Sequence, residues 1–270
     1  ARYGDPSNRV DGAASLAVDS YGNVYVAGSS QSQTKYEIVL LKYLSTGTLE
    51  WKRNYRGEYS LNDFANSMML DVNGNIIITG NSDRDSNFTD IITLKYNSDG
   101  VLKWKSISGS LNRNISSYAT CMALDRFGNV YSAGWKEKLH TVNKSDIILI
   151  KHDSSGHQLW IKTYDGTANG NDVIVSMQAD TSGNIYVTGV TEGLLSNKDI
   201  ITAKYDATGN ILWQNIYNDE LSNYIDQPAE MVIDGEANIY IVGSSLSDAT
   251  NGDLLMIKYD YNGIQKWLQK

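Results

Sequence analysis

The chain has 270 residues, 41% of them hydrophobic, with 23 Gly, 18 Tyr and only 2 Pro, a composition that suits many short strands around one core and excludes a disordered chain. A formal net charge of −8 and the lack of any Lys/Arg cluster argue against a nucleic-acid partner. No apolar run approaches the roughly 18 residues of a spanning helix, so membrane insertion is not expected, and the single Cys121 excludes an internal disulfide or a cysteine-based zinc site.

Four strand signals open the chain, at residues 14–18, 24–28, 37–43 and 48–55, each short and rich in β-formers. The first two flank the turn DSYGN at 19–23. There Asp can bond nearby amides, while Gly and Asn tolerate positive φ. Close relatives of this hairpin return, with their Asn at positions 23, 75, 129, 184 and 238, in steps of 52, 54, 55 and 54 residues. Periods near 50 signal propellers, solenoids or arrays. The fifth turn has Ala237 where the others have Gly, and a reshaped turn is expected there.

A second short turn joins strands three and four of each repeat. It holds Gly47, Gly100, Gly156, Gly209 and Gly263, each followed four residues later by Trp51, Trp104, Trp160, Trp213 or Trp267. A large aromatic at one repeat position suits the widening space between blades toward a rim. The remaining connections are longer and unlike one another: 28–36, 80–89, 134–145, 189–198 and 243–252 within repeats, and 56–62, 108–116, 165–171 and 218–225 between them. In an up-down-up-down sheet both sets fall on one face, and variation gathered on one face of a rigid scaffold marks a binding surface.

The expected fold is all-β: a single domain over 1–270, a five-bladed β-propeller of four-stranded antiparallel blades with the first strand of each repeat nearest the axis. Residues 1–4 resemble the tail of a fourth strand, and the repeat pattern breaks off at 267–270 just where that tail is due, so closure of the ring by the termini is expected. A fragment of a larger propeller is the alternative.

The repeated D-x-x-G-N-[VI]-Y-V-x-G, followed by D-[IL]-[IL]-x-x-K-Y and G-x-x-x-W, resembles the bacterial SBBP β-propeller repeat, a relative of the NHL type. The resemblance covers essentially the whole chain. It implies a propeller in a secreted or cell-surface bacterial protein and carries no catalytic motif to transfer.

Acidic residues recur on the loop-bearing face. Glu37, Asp90, Asp146, Asp199 and Asp253 open the third strands; Asp11, Asp63, Asp172 and Asp226 precede the first strands, with Ser117 in the remaining copy. A residue present in every blade answers a need of the fold, here the capping of loop amides. An acidic funnel for cations is the competing reading. Stacked sheets lie about 10 Å apart and Ca²⁺–oxygen distances are about 2.3–2.6 Å, so equivalent carboxylates could not share one ion. The DVNGN turn at 71–75 lacks the downstream Glu of a calcium loop. No metal and no cofactor is expected. Lys42, Lys95, Lys151, Lys204 and Lys258 recur in the third strand, and pairing with a turn Asp is expected, as Lys42 with Asp19. Cys121 reads as a small buried hydrophobe.

Residues that do not repeat are the better ligand contacts: Tyr59, Phe64, Tyr118, Trp135, Tyr224 and Glu230, beside Asp63, Asp172 and Asp226. Aromatic faces next to carboxylates can stack on sugar rings and bond their hydroxyls; packing within their own loops is the alternative. Trp135 is the most distinctive, because Ser29, Asn81, Val190 and Ser244 stand at the matching positions. Inverting glycosidases need two carboxyl groups about 6.5–9.5 Å apart, and Asp63, Asp172 and Glu230 are conceivable members. His140, His152 and His157 form no triad or metal cluster. The sequence favours a non-enzymatic extracellular module binding a glycan or protein, with a structural scaffold or surface-layer component as the alternative and a glycosidase below both.

Overall fold

The computed structural model describes residues 10–32, 34–109, 114–138, 144–166, 168, 170–193, 198–219, 225–246 and 252–270. It shows five sheets of four antiparallel strands, each in sequence order, and no helix among the described residues. The first blade is β1 (Asp11–Val18), β2 (Val24–Ser32), β3 (Lys35–Tyr43) and β4 (Leu49–Tyr55). The second is β5 (Asp63–Leu70), β6 (Ile76–Asp83), β7 (Thr89–Tyr96) and β8 (Leu102–Ser108). The third is β9 (Ile115–Leu124), β10 (Val130–Lys138), β11 (Ser145–His152) and β12 (Gln158–Tyr164). The fourth is β13 (Val173–Ala179), β14 (Ile185–Thr191), β15 (Asp199–Tyr205) and β16 (Ile211–Tyr217). The fifth is β17 (Asp226–Ile233), β18 (Ile239–Ser245), β19 (Asp253–Tyr259) and β20 (Gln265–Gln269). This is a β-propeller of five blades. The first strand of every blade lines a common central channel, which places those strands nearest the axis, as expected.

The repeated hairpin is held by its Asp. In the first copy Asp19 Oδ1 accepts the amides of Tyr21 and Asn23, both at 2.9 Å, and Asn23 Nδ2 donates to Asp19 Oδ2. The same bonds recur around Asp71, Asp125, Asp180 and Asp234. The fifth turn is not reshaped. Ala237 takes φ 60°, close to the 72–82° of the four glycines, and its amide bonds Asp234 O at 3.0 Å as theirs do. Six bonds made by the carboxylate and backbone of Asp234 hold the turn strongly enough to keep an L-residue in the left-handed region.

The glycine that ends each Y-V-x-G has a different reason. A β-bulge in every inner strand, for instance between Ala13 and Ser15, brings its backbone against the second strand. A Cβ built at Gly28, Gly80, Gly134, Gly189 or Gly243 would lie 1.8–2.2 Å from a carbonyl oxygen of the inner strand. Beyond that glycine the chain was expected to leave the sheet, yet β2 and β3 keep pairing to Ser32 and Lys35, and β10 and β11 to Glu137 and Ser145. Much of the long-loop face is therefore extended hairpin.

Strands two and three are apolar on both sides because blades pack face to face. Residues at Tyr25, Ala27, Ile38 and Leu40 point to the following blade, where they meet Met68, Ile76, Ile78, Ile92 and Leu94. Each fully buried Ile or Leu contributes about 1.5–3 kcal/mol relative to exposure. At the rim four of the five Trp rings lean on the Tyr of their own second strand, as in Tyr131 and Trp160 at 6.0 Å, Tyr186 and Trp213 at 6.3 Å, while Trp104, whose blade has Ile77 there, meets His152 of the next blade at 6.1 Å. Trp104, Trp160 and Trp213 also donate Nε1–H to Ser154, Ala207 and Tyr261 O in the next blade's outer turn, at 3.1–3.2 Å.

Among the repeated lysines the expected pairing with a turn Asp is found at Lys95 and not at Lys42, Lys151 or Lys204. Lys42 pairs with Glu50 at 2.8 Å rather than with Asp19. Lys151 and Lys204 lie over the rings of Tyr131 and Tyr186 and reach Ala207 and Tyr261 O in the next blade. Only Lys95 bonds its turn Asp, Asp71, at 2.9 Å. The second blade has Ile77 where the others have Tyr, so no phenol competes for the Asp; elsewhere the Tyr hydroxyl donates to it, as Tyr131 does to Asp125 at 3.1 Å.

The expected closure by residues 1–4 lies outside the described residues. Among the described residues, none of the five core clusters contains side chains of both the first and the last blade.

Because an L-residue pays steric strain at φ 60°, Ala237→Gly is expected to stabilise the fold by about 0.5–1 kcal/mol. A thermal melt should rise by about 1–3 °C. An unchanged or lower midpoint would mean that the turn is not held as described.

Candidate ligand-binding face

The long-loop face is built on carboxylates that point inward. Asp63 and Asp226 open β5 and β17, Asp172 immediately precedes β13, and all three are buried. Asp63 accepts the Gly57 amide at 2.7 Å, Asp172 the Gly166 amide at 2.7 Å and the Thr191 hydroxyl at 2.5 Å, and Asp226 the Asp219 amide at 3.0 Å. Each folds the preceding inter-blade loop onto the strand that follows it. Burial pushes the carboxyls of Asp63 and Asp172 above the ordinary range, against the lowering effect of those amide bonds. A Cβ on Gly57 or Gly166 would sit 2.7 Å from the carboxylate, which accounts for glycine there. These three residues, expected as ligand contacts, are thus occupied by the scaffold. Three of the acidic residues at the start of the third strands are answered by nearby cations: Arg84 bonds Asp90 at 3.2 Å, Lys136 of β10 bonds Asp146 at 3.1 Å, and Arg56 lies 3.6 Å from Glu37. These pairs weigh against the competing reading, an acidic funnel for cations.

The aromatic residues on this face form pairs. Tyr118 and Trp135 are cross-strand neighbours on β9 and β10, and their rings stack at 4.2 Å with 25° between planes. Phe64, at the position of Tyr118 one blade earlier, meets Tyr36 of the first blade at 5.1 Å. All four are half-buried. Tyr59 is exposed on the loop between β4 and β5, beside Ser60 at φ 51°. Tyr224 lies outside the described residues. In the inner strands of the other blades the place of Tyr118 is held by Gly12, Val173 and Gln227, so the aromatic cluster belongs to the first three blades.

Trp135 also departs from a structural role. In the two preceding blades its position is Ser29 and Asn81, whose side chains accept the amides of Ala65 and Ala119 in the next blade at 3.3 and 2.8 Å. An indole cannot accept that bond. Here the repeat gives up an inter-blade stitch and presents a ring, and only the comparison of the five copies in sequence could have suggested it.

Glu230 lies apart from this cluster. It is in the wall of the central channel, a cavity of about 380 Å³ lined also by Asn66, Thr120, Cys121 and Ser176. It accepts the Ser176 hydroxyl and the Met231 amide. Sequence reasoning grouped it with the loops because the bulge in β17 shifts the alternation of inward and outward residues. Burial raises Cys121 to about 12, so its thiol stays protonated at neutral pH. Burial likewise lowers His152 to about 4, and its Nε2 lies 2.9 Å from Ser106 Oγ as a neutral core imidazole. Among the described residues no group of three or more His, Cys, Asp or Glu is placed to hold a metal ion.

The family model of the SBBP β-propeller repeat matches residues 1–33. No curated protein matches the sequence significantly. Among solved structures the chain is similar to a Bacteroides caccae protein of unknown function, with TM-score 0.54 and 13% identity over 96% of this chain and 81% of that one. It is also similar to the periplasmic gluconolactonase PpgL of Pseudomonas aeruginosa, with TM-score 0.54 and 12% identity over 95% of this chain and 69% of that one. The polysaccharide lyase Uly1 gives TM-score 0.53 and 12% identity over 91% of this chain and 57% of that one. At these identities the likeness is one of β-propeller fold.

Removing the Asp172 carboxylate leaves the Gly166 amide and the Thr191 hydroxyl buried without their acceptor. Asp172→Ala is expected to destabilise by about 1–3 kcal/mol in a denaturant titration. A loss of ligand binding with no loss of stability would instead place Asp172 at the surface.

Proposed function

We propose that the chain is a non-enzymatic binding module of a secreted or cell-surface bacterial protein, engaging a glycan or a protein through its long-loop face. The stacked Tyr118 and Trp135 pair carries this reading. It stands where the repeat's own structural solution, a hydrogen-bonding Ser or Asn, has been replaced by an aromatic ring at the edge of a rigid sheet. Half-buried rings already stacked on each other lose little freedom on binding, and their open edges and faces suit the flat apolar side of a sugar ring or a protein side chain. Exposed Tyr59 and the Tyr36 and Phe64 pair extend the surface toward the first blade. A non-enzymatic role is supported by the placement of Asp63 and Asp172, both bonded to backbone, and of Glu230 in the channel. A scaffold role is the second reading, supported by how much of the face is spent on folding its own loops.

A glycan array combined with a partner pull-down tests the proposal. Saturable binding should fall at least about tenfold, roughly 1.4 kcal/mol, in Trp135→Ala, while circular dichroism stays native. Silence in both assays favours the scaffold, and hydrolysis lost in Asp172→Asn would replace the proposal with an enzyme.

A further inference from the structure

In each blade the fourth strand lies at the rim and, among the described residues, has no strand on its outer side. Such an edge leaves a row of backbone N–H and C=O groups open to another chain, and proteins blunt it with charge. Four of the five outer strands do so: β4 carries Glu50, Lys52 and Arg53, β8 carries Lys103 and Lys105, β12 carries Lys162 and β20 carries Lys266. β16 reads ILWQNIY and carries none, and no charged residue stands between Asp206 and Asp219.

The polar side chains of β16 are spent inside the propeller. Trp213 Nε1 and Asn215 Nδ2 donate to Tyr261 and Gly263 O of the fifth blade at 3.1 and 2.6 Å, and Gln214 Nε2 donates to the Tyr164 hydroxyl of the third at 2.9 Å. What remains outward is apolar: Ile211, Leu212 and Ile216 are 47, 53 and 47% exposed. At the places of Leu212 and Ile216 the other outer strands hold Glu50 and Asn54, Lys103 and Ile107, Leu159 and Thr163, and Lys266 with Lys270 just past β20. The fourth blade alone is apolar at both. A bulge at Leu212 interrupts the pairing with β15, so residues 213–217 form the regular stretch of this edge.

We propose that β16 is the edge at which two copies of this chain pair, antiparallel across a twofold axis, joining their fourth blades into one eight-stranded sheet. With residues 213–217 of both copies in full register the axis passes beside Asn215. Each Ile216 then lies opposite the other copy's Gln214 and diagonal to the other copy's Ile216, within side-chain reach. A twofold contact sets residues near the axis against themselves, so it tolerates no charge there. The same register would set Arg53 of β4 or Lys162 of β12 against its own copy, and Lys105 of β8 or Lys270 diagonal to its own copy. Asn215, Gln214 and Ile216 of β16 meet the condition. The fourth blade is flanked by the third and the fifth, and at the rim both neighbours recede from a body that meets it edge on. The contact is isologous and uses the edge of both copies, so assembly stops at the dimer.

Analytical ultracentrifugation across a concentration series tests this with Leu212→Lys, Ile216→Lys and Ile216→Glu, and with Leu159→Lys on β12 as the control edge. Lys103, Lys266 and Lys270 already stand at the matching places of other blades, so lysine there suits the fold, and the variants should melt like the parent. The parent should rise from the 29.9 kDa of one chain to twice that mass and stop. Leu212→Lys, Ile216→Lys and Ile216→Glu should each stay at the mass of one chain, while Leu159→Lys should dimerise as the parent does. An equimolar mixture of Ile216→Lys and Ile216→Glu should recover the dimer, because opposite charges then meet across the axis. A parent that stays monomeric would overturn the proposal and leave the edge to a peptide strand of another protein. Growth past the dimer, a charge-swapped mixture that stays monomeric, or loss of the dimer in Leu159→Lys would overturn it as well.

Discussion

The structure depends on one repeated contact, the leading side of a blade received by the trailing side of the one before. An apolar layer of Ile, Leu and Met forms its inner part, and a rim of Trp and Lys donors meeting the next blade's outer turn forms its edge. A lone four-stranded sheet with both faces this apolar could not stand in water. Stacking makes each face an interior, and the sequence repeats because the contact repeats. Gly occurs in the outer turn because all five copies take φ of 75–91°, and in four of them the preceding blade's Trp ring also fills the space of a side chain.

This constraint divides the residues of the long-loop face into two kinds. Those that recur in blade after blade, above all the buried Asp at the start of the inner strand, fold the inter-blade loops and are not available to a ligand. Those that break the pattern are free of that duty. Trp135 is the clearest, since it replaces a side chain that ties two blades together, and it finds its partner in Tyr118, another residue without a counterpart in most blades. Function is most readable where the repeat fails to agree with itself.

The strands, the turns and the blade count were legible in the sequence because period-two patterning and the Asp–Gly–Asn turn chemistry are local. What was not legible needed neighbours in space. The Ala237 turn holds its shape because six hydrogen bonds made by the carboxylate and backbone of Asp234 outweigh the strain of one residue. Lys42 turns to Glu50 across the hairpin instead of to Asp19, whose second oxygen is engaged by Asn23 and Tyr25. The extension of β2 and β3 past Gly28 follows from a bulge that no composition rule marks. Glu230 was assigned to the loop face for the same reason, a one-residue shift in β17.

The central claim is that four equivalent interfaces bury the faces of the blades, so that Leu16 and Leu254 are exposed while the residues matched to them across the repeats are buried. Carbene footprinting of dilute protein, which labels aliphatic side chains according to exposure, tests it most directly. Leu16 and Leu254 should label heavily while Leu40, Leu94 and Leu149 stay protected. Equal protection of all five would contradict the account.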